Sequence, residues 1–245
     1  MENLKDKVAV VTGAGRGIGK AIAIAYARKG VKVFCIARSQ IEIDETVEQV
    51  RSEGGEAICI SCDVTDYHGL ENAFQICYKA YGRLDIVVID AGIDCVKAPI
   101  QILEIEDWKS VMDVNLNGAF YTAKASIPYL KATGCGKIIT IGSGMGHKGR
   151  ADCAPYCCSK AGLWMLTRIL AQELSQYNIS VNELIPGPVI TNMGEESMKD
   201  QRSVFSVNGE WIKLPEDVTD MALFLAMQPI VGPTAQSYSL VRRDL

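Results

Sequence analysis

Seven short apolar runs, separated by longer stretches of helical period, restrict this chain to very few architectures. The runs are Val8–Val11, Val31–Ile36, Ala57–Ser61, Ile86–Ile89, Lys137–Ile141, Ser180–Leu184 and Ser237–Val241. Between them lie Ile18–Lys29, Ile41–Ser52, Gly69–Tyr81, Trp108–Tyr129 and Pro155–Tyr177, whose apolar residues recur at helical spacing. A strand wetted on one face alternates apolar and polar residues. These runs are nearly continuous, so both of their faces are expected to be covered. A strand–helix alternation implies parallel strands joined by right-handed crossovers. The expected fold is therefore α/β: a doubly wound, Rossmann-type parallel sheet of about seven strands with helices on both faces. With no repeat, low-complexity tract or linker, residues 1–245 read as one domain.

Composition excludes several functions. Lysine and arginine total 25 against 29 aspartates and glutamates, a formal net charge of −4. That balance leaves no basic face for a phosphate backbone, so nucleic acid is not an expected partner. The start, MENLKDKVAVVTG, has no apolar leader segment, and nothing later approaches the roughly 20 apolar residues of a membrane span. The expected location is cytoplasmic. The nine cysteines are an odd number without a secretory signal, which argues against a disulfide framework. Cys59 and Cys62 form a CxxC inside a strand, where positions three apart face opposite ways. No second CxxC follows, and His68 and His147 lie far apart, so no metal is expected.

Doubly wound sheets bind ligands beyond the carboxyl ends of their strands. After the first run stands Thr12-Gly13-Ala14-Gly15-Arg16-Gly17-Ile18-Gly19, spaced TGxxxGxG rather than GxGxxG. Such a turn lets backbone approach a pyrophosphate and opens a helix N-terminus toward it, although a purely structural turn also uses glycines. NAD-binding sheets usually place an acid at the end of the second strand, where it grips the ribose 2′-hydroxyl. Here the run ends Cys35-Ile36-Ala37-Arg38-Ser39, without that acid. Arg38 and Arg16 together suit a 2′-phosphate, so NADP(H) is favoured over NAD(H); solvated surface arginines are the plainer alternative.

Tyr156-Cys157-Cys158-Ser159-Lys160 puts Tyr156 and Lys160 one helical turn apart on the same face. A phenol titrates near 10, too high for acid–base work at neutral pH, and a neighbouring ammonium is expected to lower it. The spacing is also that of an ordinary surface pair. Ser143 follows the fifth run between Gly142 and Gly144, either as a turn residue or as a hydroxyl that meets a substrate oxygen.

In this order the residues resemble the short-chain dehydrogenase/reductase family, and most closely 3-oxoacyl-[acyl-carrier-protein] reductases and broad carbonyl reductases. The likeness rests on Thr12-Gly13…Gly17-Ile18-Gly19, Asp63-Val64, Ala91-Gly92, Asn115, Ser143, Tyr156…Lys160 and Pro186-Gly187. It implies a catalytic set of Asn115, Ser143, Tyr156 and Lys160. Asn115 would hold a water linking Lys160 to solvent, and Lys160 would also bind the nicotinamide ribose. It further implies that Asp63 accepts from the adenine amino group and that Val64 packs the ring. Asp90, Ala91 and Gly92 would border the cofactor, and Gly13, Gly15, Arg16, Gly17, Ile18, Gly19, Arg38 and Ser39 would hold its phosphates and ribose. Pro186 and Gly187 would cover the nicotinamide, with the Val189 backbone on its carboxamide and Thr191 toward phosphate. The implied activity is NADP(H)-dependent interconversion of a ketone and a secondary alcohol with Tyr156 as acid and base.

The chain departs from the family pattern in places. Asp90 stands where relatives usually have an asparagine that donates; an ionised carboxylate can only accept, so either the local network differs or Asp90 is protonated. The C-terminal Gly232–Leu240 stretch differs, and residues 192–214, with Met193, Met198, Phe205 and Trp211, stand where relatives carry a substrate lid, a plain surface helix pair being the alternative. Residues 131–137 and 171–176 are thinly charged where carrier-using relatives carry arginines, which favours a free small ketone or thioester substrate over a carrier-bound one. A reductase of carrier-bound 3-oxoacyl groups and a non-catalytic NADPH-binding scaffold remain as alternatives. The resemblance also implies a homo-dimer or homo-tetramer.

Overall fold

The computed structural model describes residues 2–191, 193 and 209–242. The expected lid therefore lies outside the described residues except for Met193 and 209–214, and Met198 and Phe205 fall in that undescribed part. Seven parallel strands form one sheet in the order β3-β2-β1-β4-β5-β6-β7. They are β1 (Val8–Thr12), β2 (Lys32–Ala37), β3 (Ala57–Ser61), β4 (Ile86–Ile89), β5 (Gly136–Ile141), β6 (Ile179–Ile185) and β7 (Ser237–Ser239). The chain winds outward from β1 to β3, then returns to place β4 on the other side of β1. That reversal opens a crevice above the carboxyl ends of β1 and β4.

The continuous apolar runs follow from two cores. Ala9, Val11, Val33 and Ile139 face Ile22 and Tyr26, while Val8, Val10, Phe34 and Ile138 face Phe74, Ala123 and Leu163. Successive residues thus serve opposite layers, and every residue of β1 is buried. The first layer holds α1 (Gly17–Arg28) and α2 (Gln40–Ser52). The second holds α3 (Tyr67–Tyr81), α5 (Gly118–Thr133) and α7 (Ala154–Leu174). Ser39 caps α2 by accepting from the Glu42 N–H at 3.3 Å, and Asp66 caps α3 through the Gly69 N–H at 3.0 Å.

Two departures from the periodicity matter for the site. The stretch Trp108–Tyr129 is not one helix: α4 (Ile105–Met112) passes through a π turn, Asp113–Asn117, before α5 begins. The cause is Asn115, whose buried side chain bonds the backbone of a neighbouring loop instead of following the helix surface. The second is α6 (Gly144–Lys148), a single turn with two glycines that its sequence alone does not announce. Cys59 and Cys62 are both free thiols, directed to the Asp44 carboxylate and the Asp63 carbonyl respectively. Among the described residues no three metal-ligating groups cluster, and no helix is long and apolar enough to cross a membrane.

Candidate active site

A cleft of about 760 Å³ runs along the carboxyl ends of the strands, from the β2–α2 turn to the β6 loop. Its floor is the switch point. Gly13 has φ +69°, and a Cβ there would stand 3.0 Å from the Ala91 nitrogen. Thr12 explains that closeness: its buried hydroxyl oxygen accepts from the Asp90 and Ala91 N–H groups at 3.2 and 3.3 Å. It also lies 3.4 Å from the Val88 carbonyl, to which it donates. Gly19 does not line the cleft. It sits behind the turn, where a Cβ would meet the Gly13 carbonyl oxygen at 2.5 Å and Asp90 Oδ2 at 2.7 Å. Gly15, Arg16, Gly17 and Ile18 do line it, and Thr191 stands over Gly17 from the opposite wall. This glycine cradle ends at the free N–H groups of α1, an arrangement that fits a dinucleotide pyrophosphate.

Asp90 is enclosed in this floor and accepts from the Gly19 N–H. Burial pushes its carboxyl up to about 7, with Lys160 and the Gly19 hydrogen bond opposing the rise. The raised value links it to stability. Below about pH 4 the group is protonated whether folded or not, and its contribution is fully present. As pH rises toward 7 the unfolded chain releases the proton first, so stability is lost progressively. Asp90→Asn carries no such proton. Its melting temperature relative to the wild type is expected to rise by about 5 °C between pH 5 and pH 8. Thermal melts of both proteins at the two pH values check this, and a constant difference would refute it.

At the end beside β2 and β3, Arg38, Ser39, Asp63 and Val64 line the cleft together. Arg38 lies 3.9 Å from Asp63 Oδ2, while Asp63 Oδ1 accepts from the Thr65 N–H and hydroxyl at 2.9 and 2.8 Å. Arg16 lies 3.8 Å from Glu42, a cleft residue that belongs to none of the motifs. The acid absent from the end of β2 thus has a counterpart in the first turn of α2, and only its helical position signalled it.

At the other end, Ser143, Tyr156 and Lys160 converge. Ser143 caps α6, accepting from the Met145 N–H at 3.2 Å, and is hydrogen-bonded to the Tyr156 hydroxyl. Lys160 is buried beneath them and donates to the Ile141 carbonyl at 2.8 Å, its Nζ 5.8 Å from the Tyr156 ring centre. Burial lowers the Lys160 ammonium, while Asp90 and Glu183 favour its charge. Tyr156 behaves contrary to the expected drop: burial pushes its phenol up, the Ser143 hydrogen bond opposes this, and Asp94 adds to the rise. Desolvation of the phenolate dominates, and the Lys160 ammonium donates to the Ile141 carbonyl.

Asn115 lies behind the cleft wall rather than in it. Its Oδ1 accepts from the Ile93 N–H at 2.8 Å, and its Nδ2 donates to the Ile93 carbonyl at 3.0 Å and Ser159 Oγ at 3.2 Å. It therefore braces the loop after Ala91 and Gly92 against α7. Across the cleft, Pro186, Gly187, Val189 and Thr191 form the opposite wall. A parallel bridge ties Lys213 to the Pro188 carbonyl and the Ile190 N–H, so the peptide groups of Val189 itself turn away from Lys213. Beyond Tyr156 the lining includes Met145, Cys153, Lys97, Lys148 and Arg150, none of which the motif spacing singled out.

A glycine cradle at a Rossmann switch point, joined to a serine–tyrosine–lysine group, defines a nucleotide-dependent oxidoreductase. The short chain dehydrogenase family's sequence pattern matches residues 7–202, and the chain belongs to that family. It is 34% identical over 242 residues to a 3-oxoacyl-[acyl-carrier-protein] reductase of Synechocystis sp. (strain ATCC 27184 / PCC 6803 / Kazusa), covering 98% of this chain and 97% of that protein. A solved actinorhodin polyketide ketoreductase with NADPH superposes at a TM-score of 0.88, with 30% identity, over 98% of this chain and 97% of its own. Carveol dehydrogenase from Mycobacterium avium, solved with NAD, superposes at 0.90 over 98% of each chain, and at 24% identity it shares the fold.

Proposed function

We propose that the whole chain works as one NADP(H)-dependent oxidoreductase domain that interconverts a ketone and a secondary alcohol. The observation that carries this reading is the Ser143–Tyr156 hydroxyl pair at the cleft floor, with Lys160 buried beneath it. The two hydroxyls bind the carbonyl oxygen between them, and Tyr156 donates its proton as the oxygen becomes an alcohol. Lys160 supplies positive charge below the phenol, and Asn115 holds the loop and α7 in register. A bound nicotinamide supplies the hydride, a chemistry that belongs to the cofactor. Oxidation of NADPH with β-keto thioesters, β-keto esters and cyclic ketones tests the reading. Firm cofactor binding without turnover of any ketone would sink it.

Arg16 and Arg38 support a 2′-phosphate; of the similar structures, the ketoreductase is solved with NADPH and carveol dehydrogenase with NAD, so the two arginines carry this choice. Glu42 and Asp63 stand against the same guanidiniums, so the preference depends on which partner the phosphate displaces. Arg38→Asp removes a cation and adds repulsion. It is expected to weaken NADPH binding about 100-fold and NADH binding by less than threefold. Titration of each cofactor by fluorescence decides the matter, because equal losses would remove Arg38 as the selector.

The substrate reading is a free small-molecule ketone or thioester, acted on by a homo-dimer or homo-tetramer. A carrier-bound 3-oxoacyl thioester is the second reading. It is supported by the name of the Synechocystis relative and by Lys97, Lys148 and Arg150 at the cleft mouth, since an acidic carrier needs a basic approach. Parallel assays with the same acyl group on a carrier protein and on a small thiol separate the two.

A further inference from the structure

Glu183 is a carboxylate where the sheet would ordinarily hold a hydrocarbon. It follows Ile179 and Val181 on the face of β6 that packs against α7, between Thr140 of β5 and Ser237 of β7. None of its surface is exposed. A carboxylate there is tolerable only if its oxygens are met. Ser237 Oγ donates to Oε2 at 2.6 Å, and His147 Nε2 lies 3.0 Å from Oε2 and 3.3 Å from Oε1. Gly142 leaves room for the carboxylate, since a Cβ there would collide with Glu183 Oε1. The side chain therefore reaches beneath the residue that precedes Ser143.

His147 belongs to α6, the turn that Ser143 caps. Its ring lies 5.2 Å from that of Trp164 on α7, and the Arg168 guanidinium covers the indole at 5.2 Å. Gly146 rests on the backbone of Lys160, where a Cβ would come within 2.7 Å. One helical turn containing two glycines has no stability of its own. Besides the Ser143 cap and the packing of Met145, Glu183 meets α6 on one side and α7 meets it on the other.

We propose that the Glu183–His147 pair is the positioning element of the active site, fixing α6 and so holding the Ser143 hydroxyl against Tyr156. The charged and titratable groups around Glu183 come from two helices, His147 on α6 and Lys160 on α7, with the Ser237 hydroxyl on β7. Glu183 also favours the ammonium of Lys160. The inference rests on the reading of Ser143, Tyr156 and Lys160 as the reacting set.

Two measurements test it on the full chain. With the best ketone substrate, Glu183→Gln and His147→Ala are expected to lower kcat by about 10- to 100-fold through misplacement of Ser143. The ketone KM and NADPH affinity should stay within about threefold, and the pH profile of kcat should change. His147→Gln, whose amide can stand where Nε2 stood, should recover most of the loss. Independently of any substrate, amide exchange at residues 145–148 should quicken at least about tenfold in Glu183→Gln and His147→Ala, while α7 stays protected. Unchanged kcat in both variants, or unchanged exchange in α6, overturns the proposal. If Glu183→Gln does not fold, His147→Ala carries the test. If the wild type reduces no ketone, the activity reading fails on its own and the exchange experiment still decides this one.

Discussion

Tyr156→Phe is expected to lower kcat/KM for ketone reduction by at least about 1,000-fold while cofactor affinity stays within about threefold. The substitution removes one oxygen, and with it both the proton that must reach the nascent alkoxide and one of its two hydrogen bonds. Ser143 remains to bind the carbonyl but has no acidic partner. Because burial pushes the Tyr156 phenol up, the group is protonated at neutral pH, which suits it to give a proton in the reductive direction. The reverse reaction needs the phenolate and should therefore run fastest at alkaline pH. Steady-state rates in both directions, with cofactor titrations, check this. Retention of a tenth of the activity in the phenylalanine variant would assign the proton to another group.

Gly19→Val should be the most damaging single change at the cradle. A Cβ at this position meets the Gly13 carbonyl oxygen at 2.5 Å and its carbon at 2.8 Å, both backbone, and the Asp90 carboxylate at 2.7 Å. The turn must open, which moves the N–H groups at the start of α1 out of line with a phosphate. Dinucleotide affinity is expected to fall about 100-fold or more, with a loss of stability of about 2–3 kcal/mol from overpacking. Calorimetric titration and denaturant melts measure the two effects. A variant that binds cofactor normally would show that the helix start can shift without disturbing the cradle.

The sheet was legible because burial on both faces leaves an unmistakable mark: VAVV, IVVI and KIITI admit few other readings. The glycine turn and the tyrosine–lysine pair were legible because chemistry fixes their spacing. What escaped was whatever depends on distance along the chain. Glu42 reaches the cleft beside Arg16 only through the packing of α2 on the glycine turn. Asn115 sits in a helical stretch whose period conceals a π turn, and the cause of that turn is a backbone loop 22 residues away. Tyr156 was expected to be more acidic, because residue spacing shows a charged neighbour but not how deeply the phenol is buried. Glu183 did carry a signal, an acid within an otherwise apolar strand, yet its partner His147 lies 36 residues earlier.

Thr12 has a mechanical consequence. One hydroxyl holds the turn after β1 and the turn after β4 together, and the Gly19 N–H bonded to Asp90 ties them a second time. They form a stiff lower jaw whose two ends cannot drift apart. Compliance in the cleft is then expected from the facing segment, Pro186–Thr191, which among the described residues is fastened to Lys213 by two peptide hydrogen bonds.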